Sequence, residues 1–243
     1  MAGDFKLREH LRQSDEYGVP IALCAWEIDP PDTLPVVTID YQKAGYLAGR
    51  HLRELGHRRV VVIADLPAHR IRVDGLRRAF AEDGIDVADD CVFSAVGANP
   101  ESGHEAALLA LDRAERATAV FASTDSIALG VMQAVRQLGL RVPEDVSVVG
   151  IDDIPQAAHA HPPLTTVALP KRQMAKEATE LLLRAIAENR PGAPMLSLLD
   201  PEVLVRASTA PPPGRTPAKD SAEDGSPAAP PTATTSKEEP ALE

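Results

Sequence analysis

Short apolar, largely β-branched runs alternate with amphipathic stretches over residues 58–152, and this alternation constrains the fold more than any other feature. The runs at 58–64, 91–96, 118–122 and 146–151 predict four strands, and a helix-length amphipathic segment follows each of the first three. Strands that are apolar throughout belong to sheets that are covered on both faces. The pattern therefore predicts an α/β fold with a parallel sheet flanked by helices.

The segments on either side of this region predict further elements. In chain order these are a helix (4–18), strands at 19–24 and 36–40, a helix that ends at Gly56, a long amphipathic helix (171–189) and a strand (202–207). Two α/β lobes joined by several crossings account for this order. The first lobe is short of the five or six strands of a doubly wound sheet, so we expect it to be incomplete.

The predicted division of the chain follows from these elements. We expect residues 1–56 and 170–196 to form a partial N-terminal lobe, and residues 57–169 and 197–209 to form a C-terminal lobe. Residues 210–243 are rich in proline and contain no aromatic residue. Such a segment cannot bury enough apolar surface to offset its chain entropy, which predicts a disordered tail, with a partner-binding segment as the alternative.

Composition excludes several classes of protein. The net charge of −11 opposes a surface built to neutralise phosphates, and the 3% aromatic content opposes base stacking. The sequence has neither an apolar run long enough for a membrane span nor a signal-peptide core, which predicts a cytoplasmic protein without membrane contact. Cys24 and Cys91 lack metal-site spacing, and we expect them to be reduced, buried thiols.

Ligands of open α/β sheets bind outside the carboxyl ends of the strands, so the polar residues that follow each predicted strand are candidates. These residues are His69, Arg70, Arg72, Asn99, Glu101, Thr124, Asp125, Asp152 and Asp153. Arginine offers a planar fork of donors and aspartate accepts hydrogen bonds from hydroxyl groups. Such a set suits a small polyhydroxylated or anionic solute.

We select Arg70, Arg72, Thr124, Asp125 and Asp152 as ligand-binding residues, and several have alternative roles. Arg72 fits an exposed helix face, and Asp152 fits the cap of a turn. Asp125 fits a helix N-cap better than a ligand contact.

Other polar and aromatic residues have less specific interpretations. His57 follows the glycine that ends a helix, which favours a structural polar contact. Trp26 fits stacking on a sugar ring and packing equally well.

Catalytic and metal-binding patterns are weak. The sequence has no phosphate-cradling glycine loop, no G-x-S-x-G turn and no H-E-x-x-H motif. Asp152 and Asp153 are adjacent on an extended segment, where successive side chains point to opposite sides. His159 and His161 have no further ligands at metal spacing. We therefore expect no enzyme activity, no metal and no cofactor.

Several blocks of sequence occur in a consistent order and resemble a known family. They are VTIDYQKAGYLAGRHLRELGHRRVVVI, RIRVDGLRRAFAEDGI, TAVFASTDSIALGVMQAVRQLGLRVPEDVSVVGIDD, HPPLTTVALP and LVRAST, within residues 7–209. Together they resemble the effector-binding domain of the lac repressor/galactose repressor (LacI/GalR) transcriptional regulators. The resemblance implies a two-lobed, periplasmic-binding-protein-like fold and a homodimer. It also implies a small-molecule effector, a sugar or related metabolite, bound in the cleft.

The resemblance also suggests site residues. Arg72 matches the family's effector-binding arginine, Arg70 a second arginine of some members, and Asp152 the aspartate of the G-x-D-D segment. Asp125 matches the acid of the usual Asn-Asp pair, in which Thr124 replaces the asparagine.

Two other positions depart from the family pattern. Ala98 stands where an aromatic residue is common, and Ala25 stands where other members carry an aspartate. Neither alanine supplies the usual ligand contact, so these departures leave the common sugar and purine specificities open.

Family members begin with a helix-turn-helix and a hinge, whereas this sequence enters at about the second helix of the first lobe. We therefore expect operator DNA to be bound only through a helix-turn-helix missing from this chain, and we expect the chain to be N-terminally truncated. The alternative from another class is a solute-binding protein of a sugar transporter, which shares the two-lobed architecture. The VPEDVSVVGIDD and HPPLTTV blocks favour the regulator.

Overall fold

The computed structural model describes residues 19–25, 34–113, 117–188 and 195–214. These residues form a periplasmic-binding-protein-like α/β fold with two sheets. The strands are β1 (Leu23–Ala25), β2 (Pro35–Ile39), β3 (Val60–Ala64), β4 (Val92–Ser94), β5 (Ala119–Ala122), β6 (Ser147–Asp152), β7 (Thr165–Ala168), β8 (Met195–Leu199) and β9 (Glu202–Leu204). The helices are α1 (Tyr41–Leu55), α2 (Arg70–Ala81), α3 (Pro100–Arg113), α4 (Asp125–Gln137), α5 (Pro155–His159) and α6 (Lys171–Ala187).

Six strands of the described part of the chain form the larger sheet, in the order β4-β3-β5-β6-β7-β9. All pairs are parallel except β7 with β9, which are antiparallel. The strands predicted at 58–64, 118–122 and 146–151 are confirmed as β3, β5 and β6, and the one predicted at 91–96 is the shorter β4. Nearly every residue of β3, β5 and β6 is buried, as expected for strands covered on both faces.

Helices α1 and α2 cover one face of the larger sheet, and α3 and α4 cover the other. The backbones of α1 and α2 are in contact at two glycines. A Cβ at Gly45 would clash with the carbonyl of Arg72, and a Cβ at Gly75 would clash with the carbonyl of Gln42. This contact brings Tyr41, the first residue of α1, against Arg72. The prediction that residues 1–56 belong to the N-terminal lobe is thus wrong for α1, which packs on the larger sheet. Helical periodicity does not specify which sheet a helix packs on.

Within the described ranges, three parallel strands form the smaller sheet, in the order β1-β2-β8. Helix α6 packs against β2 and β1, and its Met174 lies in the same core as Val37 and Ile39. Strand β8 pairs with β2 along its whole length, so residues 197–199 lie in the smaller sheet. The change of lobe predicted at residue 197 is therefore wrong, because it falls inside this strand.

The described chain passes between the two sheets three times, after β2, β7 and β8. Tyr41 begins the helix after the first crossing, and Lys171 begins the helix after the second. At the third crossing, the N–H of Asp40 donates to the carbonyl of Leu199 at 2.9 Å. These crossings bring the start of α1 and the start of α6 to the junction between the sheets.

Residues 210–214, which were assigned to the predicted disordered tail, are part of the described structure. Ala210, assigned to the disordered tail, accepts hydrogen bonds from His57 Nε2 at 2.8 Å and Ser147 Oγ at 3.0 Å. The tail prediction is therefore wrong for Ala210. Residues 215–243, the helix predicted at 4–18 and Trp26 lie outside the described residues.

The two cysteines have free thiols, but Cys24 is exposed and Cys91 is half-buried, so their predicted burial is wrong. Each lies on or beside a strand at the edge of its sheet, as the sheets are formed by the described residues. Among the helices of the described ranges, none combines the length and apolar character needed to cross a bilayer.

Candidate functional site

Arg72 lies at the carboxyl end of the larger sheet, in the first turn of α2. Its guanidinium donates to the carbonyl of Ser123 at 2.6 Å, just past β5, and lies 4.8 Å from the centre of the Tyr41 ring. The side chain is only 3% exposed, so the alternative of an exposed helix face is wrong. A buried guanidinium held by a carbonyl and an aromatic face has a fixed direction, as an arginine that binds a ligand requires.

Asp152 ends the neighbouring strand β6 and is partly accessible, with 17% of its side chain exposed. Its backbone has φ = 126°, a conformation that residues other than glycine rarely adopt. Burial raises the pKa of its carboxyl group, while the charges of Arg72 and Lys171 act in the opposite direction. Arg72 and Asp152, two of the predicted site residues, are thus close enough to interact electrostatically.

Lys171 contacts Asp152 from the start of α6. Its Nζ donates to the carbonyl of Asp152 at 2.8 Å and lies 3.7 Å from Oδ1 of the carboxylate. The neighbouring Asp153 accepts instead from Arg206 at 2.6 Å. The two adjacent carboxylates therefore have different partners, and they do not form an acid/base pair.

Thr124 caps helix α4, and Asp125 supports the loop that follows Asp152. Thr124 is the N-cap of α4, because its Oγ1 accepts from the N–H of Ile127 at 3.2 Å, so the prediction that Asp125 caps this helix is wrong. Asp125 is fully buried, and it accepts from Thr166 Oγ1 at 2.6 Å and from the N–H of Ile154 at 3.0 Å. It thereby holds the loop that follows Asp152.

The burial of Asp125 has an electrostatic consequence. Desolvation raises the pKa of its carboxyl group to about 7, although its two hydrogen bonds act in the opposite direction. The carboxyl group therefore gains or loses a proton near neutral pH, directly behind the Asp152 loop.

Arg70 is not brought together with Arg72. The two residues are separated by two positions on α2 and so lie on opposite sides of the helix. The side chain of Arg70 is 80% exposed, 3.8 Å from Asp74. It lines a separate cavity of about 370 Å³, together with Asp89 and Val92 at the edge of the sheet.

His69 and His57 are both held by neighbouring polar groups. His69 Nδ1 bonds with Ser123 Oγ at 2.9 Å, and burial together with the charge of Arg72 lowers its pKa to about 4, which keeps the ring neutral. His57 is buried between Thr118 and Ala210 at the opposite end of the sheet, so its predicted structural role is confirmed.

The two remaining polar candidates lie at the start of α3. Asn99 accepts from the N–H of Ser102 at 2.9 Å, and Glu101 is exposed. Tyr41 and Lys171 contact the site and were missed from the sequence. No group of three His, Cys, Asp or Glu residues suited to a metal ion occurs within the described ranges.

Comparisons with known proteins agree with this fold. The family model of a periplasmic binding protein-like domain matches residues 50–209. A LacI family transcriptional regulator from Mycobacterium smegmatis is 31% identical. Its structure superposes with a TM-score of 0.69, and the match covers 78% of this chain and 70% of that one. The chain belongs to the LacI/GalR family.

Further members of the LacI/GalR family match over a similar range. The structure of the transcriptional regulator CelR in complex with cellobiose is 35% identical, with a TM-score of 0.74 over 80% of this chain and 60% of that one. The transcriptional repressor PurR of Aliivibrio fischeri is 34% identical over 197 residues, which are 78% of this chain and 57% of PurR. The chain thus spans about half the length of the curated relatives that it matches.

Proposed function

We propose that this chain is the effector-sensing part of a repressor-type transcriptional regulator. Its effector is a small molecule, a sugar or related metabolite, which binds between the two sheets at the carboxyl end of the larger one. The observation that carries the proposal is that the buried Arg72 guanidinium and the partly accessible Asp152 carboxylate lie at the carboxyl ends of neighbouring strands and interact electrostatically.

The chemistry of this pair suits a polyhydroxylated ligand. The carboxylate of Asp152 accepts hydrogen bonds from hydroxyl groups, while the guanidinium of Arg72 donates to hydroxyl or ring oxygens. The cellobiose complex of CelR supports a sugar as the ligand class. Strained backbone such as that of Asp152 is concentrated at ligand sites, where the surrounding structure holds it in place.

The regulatory step is a coupling between two sites. An effector that binds one arrangement of the two lobes more tightly than the other shifts their equilibrium towards it. We propose that this shift changes operator affinity through the helix-turn-helix that regulators of this family carry.

We also propose that the protein acts as a cytoplasmic homodimer without enzyme activity or cofactor. Sedimentation equilibrium tests the dimer, for which a monomer mass would be the contrary result.

The relatives also bear on the alternative function. CelR, PurR and the Mycobacterium smegmatis protein are transcriptional regulators. This supports a regulator over the alternative, a solute-binding protein of a transporter. No observation of the described residues favours that alternative.

A thermal-shift screen of mono- and disaccharides, sugar acids and nucleobases tests the proposed function. A ligand that binds only the folded protein raises Tm in proportion to RT ln(1 + [L]/Kd). We expect at least one compound to raise Tm of the wild-type protein and to lose most of this effect in Arg72→Ala and Asp152→Asn. A panel that leaves Tm unchanged, or equal shifts in all three proteins, would contradict the proposal.

A further inference from the structure

The backbone of the Asp152 loop is held in an unfavourable conformation by side chains from several elements. Asp152 and Asp153 have φ values of 126° and 52°, and neither is a glycine. A pair of such residues persists only where neighbouring groups hold it. Asp125 accepts from the N–H of Ile154 at 3.0 Å, and Arg206 donates to the Asp153 carboxylate at 2.6 Å.

Lys171 holds Asp152 itself. Its ammonium donates to the carbonyl oxygen of Asp152 at 2.8 Å, so it bonds to the residue whose φ is most unfavourable. The same ammonium lies 3.7 Å from Oδ1 of Asp152 and favours the ionised carboxylate. One side chain therefore restrains both the backbone and the charge of this residue.

Lys171 and Asp152 belong to elements of different sheets. It is the first residue of α6, and this helix packs against β1 and β2 of the smaller sheet. Asp152 ends β6 in the larger sheet. The contact between the two residues therefore spans the junction at which the chain passes from β7 to α6.

We propose that Lys171 is a positioning residue for the effector site. It holds the Asp152 carboxylate in the orientation that accepts the effector, and it connects that carboxylate to helix α6 of the smaller sheet. This inference rests on the proposed function, because it assigns Asp152 to effector binding. A movement of α6 that withdraws the ammonium releases Asp152, so effector affinity depends on the arrangement of the two sheets.

Three charged or titratable groups from different helices bear on the Asp152 carboxylate. Arg72 approaches from α2, Lys171 from α6 and Asp125 from α4. Arg206 is bound to the adjacent Asp153. A test of Lys171 must therefore change one of these charges and leave the others in place.

Three variants of the full chain provide this test. Lys171→Met removes the ammonium and keeps most of the apolar stem, and Lys171→Arg restores a positive charge with hydrogen-bond donors. Lys176→Met is the matched control, because Lys176 lies on the same helix in an exposed pair with Glu180 at 3.9 Å. Aspartate carboxyl groups are labelled with carbon-13, and the Asp152 resonance is assigned by its absence from Asp152→Asn.

The carboxyl titration of ligand-free protein is then followed by NMR. We expect Asp152 to titrate at a higher pH in Lys171→Met than in wild type, and at the wild-type pH in Lys176→Met. In Lys171→Arg we expect most of the shift to be reversed. A packing role for Lys171 would lower Tm without moving this titration.

The outcomes separate this inference from the proposed function. An unchanged Asp152 titration in Lys171→Met overturns the positioning role and leaves the function standing. A screen in which Asp152→Asn binds every compound as wild type does overturns the function instead, and with it the effector part of this inference. Because the titration needs no effector, the two results are obtained independently.

Discussion

The two ends of the larger sheet both contain buried polar groups, but they differ in accessibility and strain. At the amino end, His57 is 1% exposed and bonds with Thr118 and Ala210, without unfavourable backbone. At the carboxyl end, Asp152 keeps 17% of its side chain exposed and has φ = 126°. The comparison shows that burial of polar groups does not by itself indicate a ligand site. Partial accessibility, strained backbone and unlike charges together distinguish the carboxyl end.

The largest expected effect is on effector affinity at the carboxyl end. We expect Arg72→Ala to weaken binding of the effector found by screening on the order of 100-fold, because it removes the buried guanidinium that we propose binds the effector. Titration calorimetry measures this change. Binding within threefold of wild type would show that the carboxyl end is not the effector site.

The second effect is on stability at the amino end. His57→Ala leaves the Thr118 hydroxyl and the Ala210 carbonyl without this partner. We expect it to lower the free energy of unfolding by about 2 kcal/mol and to leave effector affinity unchanged. Urea denaturation provides the measurement. His104→Ala is the control, because His104 bonds with Gln137 on the surface at 2.8 Å; an equal loss in both variants would refute the contrast.

The third effect is a pH dependence that arises behind the Asp152 loop. The pKa of Asp125 is about 7 in the folded protein, above its ordinary value of 3.8. The folded state therefore binds a proton that the unfolded state has lost. The contribution of Asp125 to stability is full below about pH 4 and is lost as the pH rises to about 7.

Asp125→Asn tests this dependence because its side chain cannot ionise. We expect the free energy of unfolding of the variant, relative to wild type, to rise between about pH 4 and about pH 7. The buried His57 and the half-buried His51 and His69 have lowered pKa values and occur in both proteins, so their contribution cancels. Denaturation curves at several pH values that differ by a constant would disprove the assignment.

The smallest expected effect concerns Arg70. Its side chain is 80% exposed and lies on the side of α2 opposite Arg72. We expect Arg70→Ala to change effector affinity less than twofold, measured by the same calorimetric titration. A tenfold loss would mean that the ligand extends around the helix to Arg70, and it would remove the contrast between the two arginines.

Much of the larger sheet follows from the sequence because its central strands are apolar throughout. Val60–Ala64 and Ala119–Ala122 are buried on both faces, and a run of β-branched and aromatic residues is sufficient to indicate such strands. The end of α1 was equally clear, because Gly56 adopts φ = 98° at the C-cap. The central strands and the end of α1 are therefore decided by residues that are adjacent in the sequence.

Strand β7 was not predicted, whereas the helix that follows it was. The two threonines of β7 are polar, yet they are buried because their hydroxyls bond with Asp125 and Thr209, which are distant in sequence. Since the strand was missed, Lys171 was not recognised as lying at the carboxyl edge. The assignment of α1 to the larger sheet and of β8 to the smaller one likewise depends on tertiary contacts that no local pattern contains.

The central claim is that the carboxyl end of the larger sheet binds the effector through Asp152. The most direct test is titration calorimetry of that effector with Asp152→Asn and its neighbour Asp153→Asn, because Asp153 is occupied by Arg206. We predict that Asp152→Asn weakens binding at least roughly tenfold, as expected for a lost hydrogen bond to a charged group, and that Asp153→Asn changes it much less. Wild-type affinity in Asp152→Asn, or an equal loss in both variants, would contradict the account.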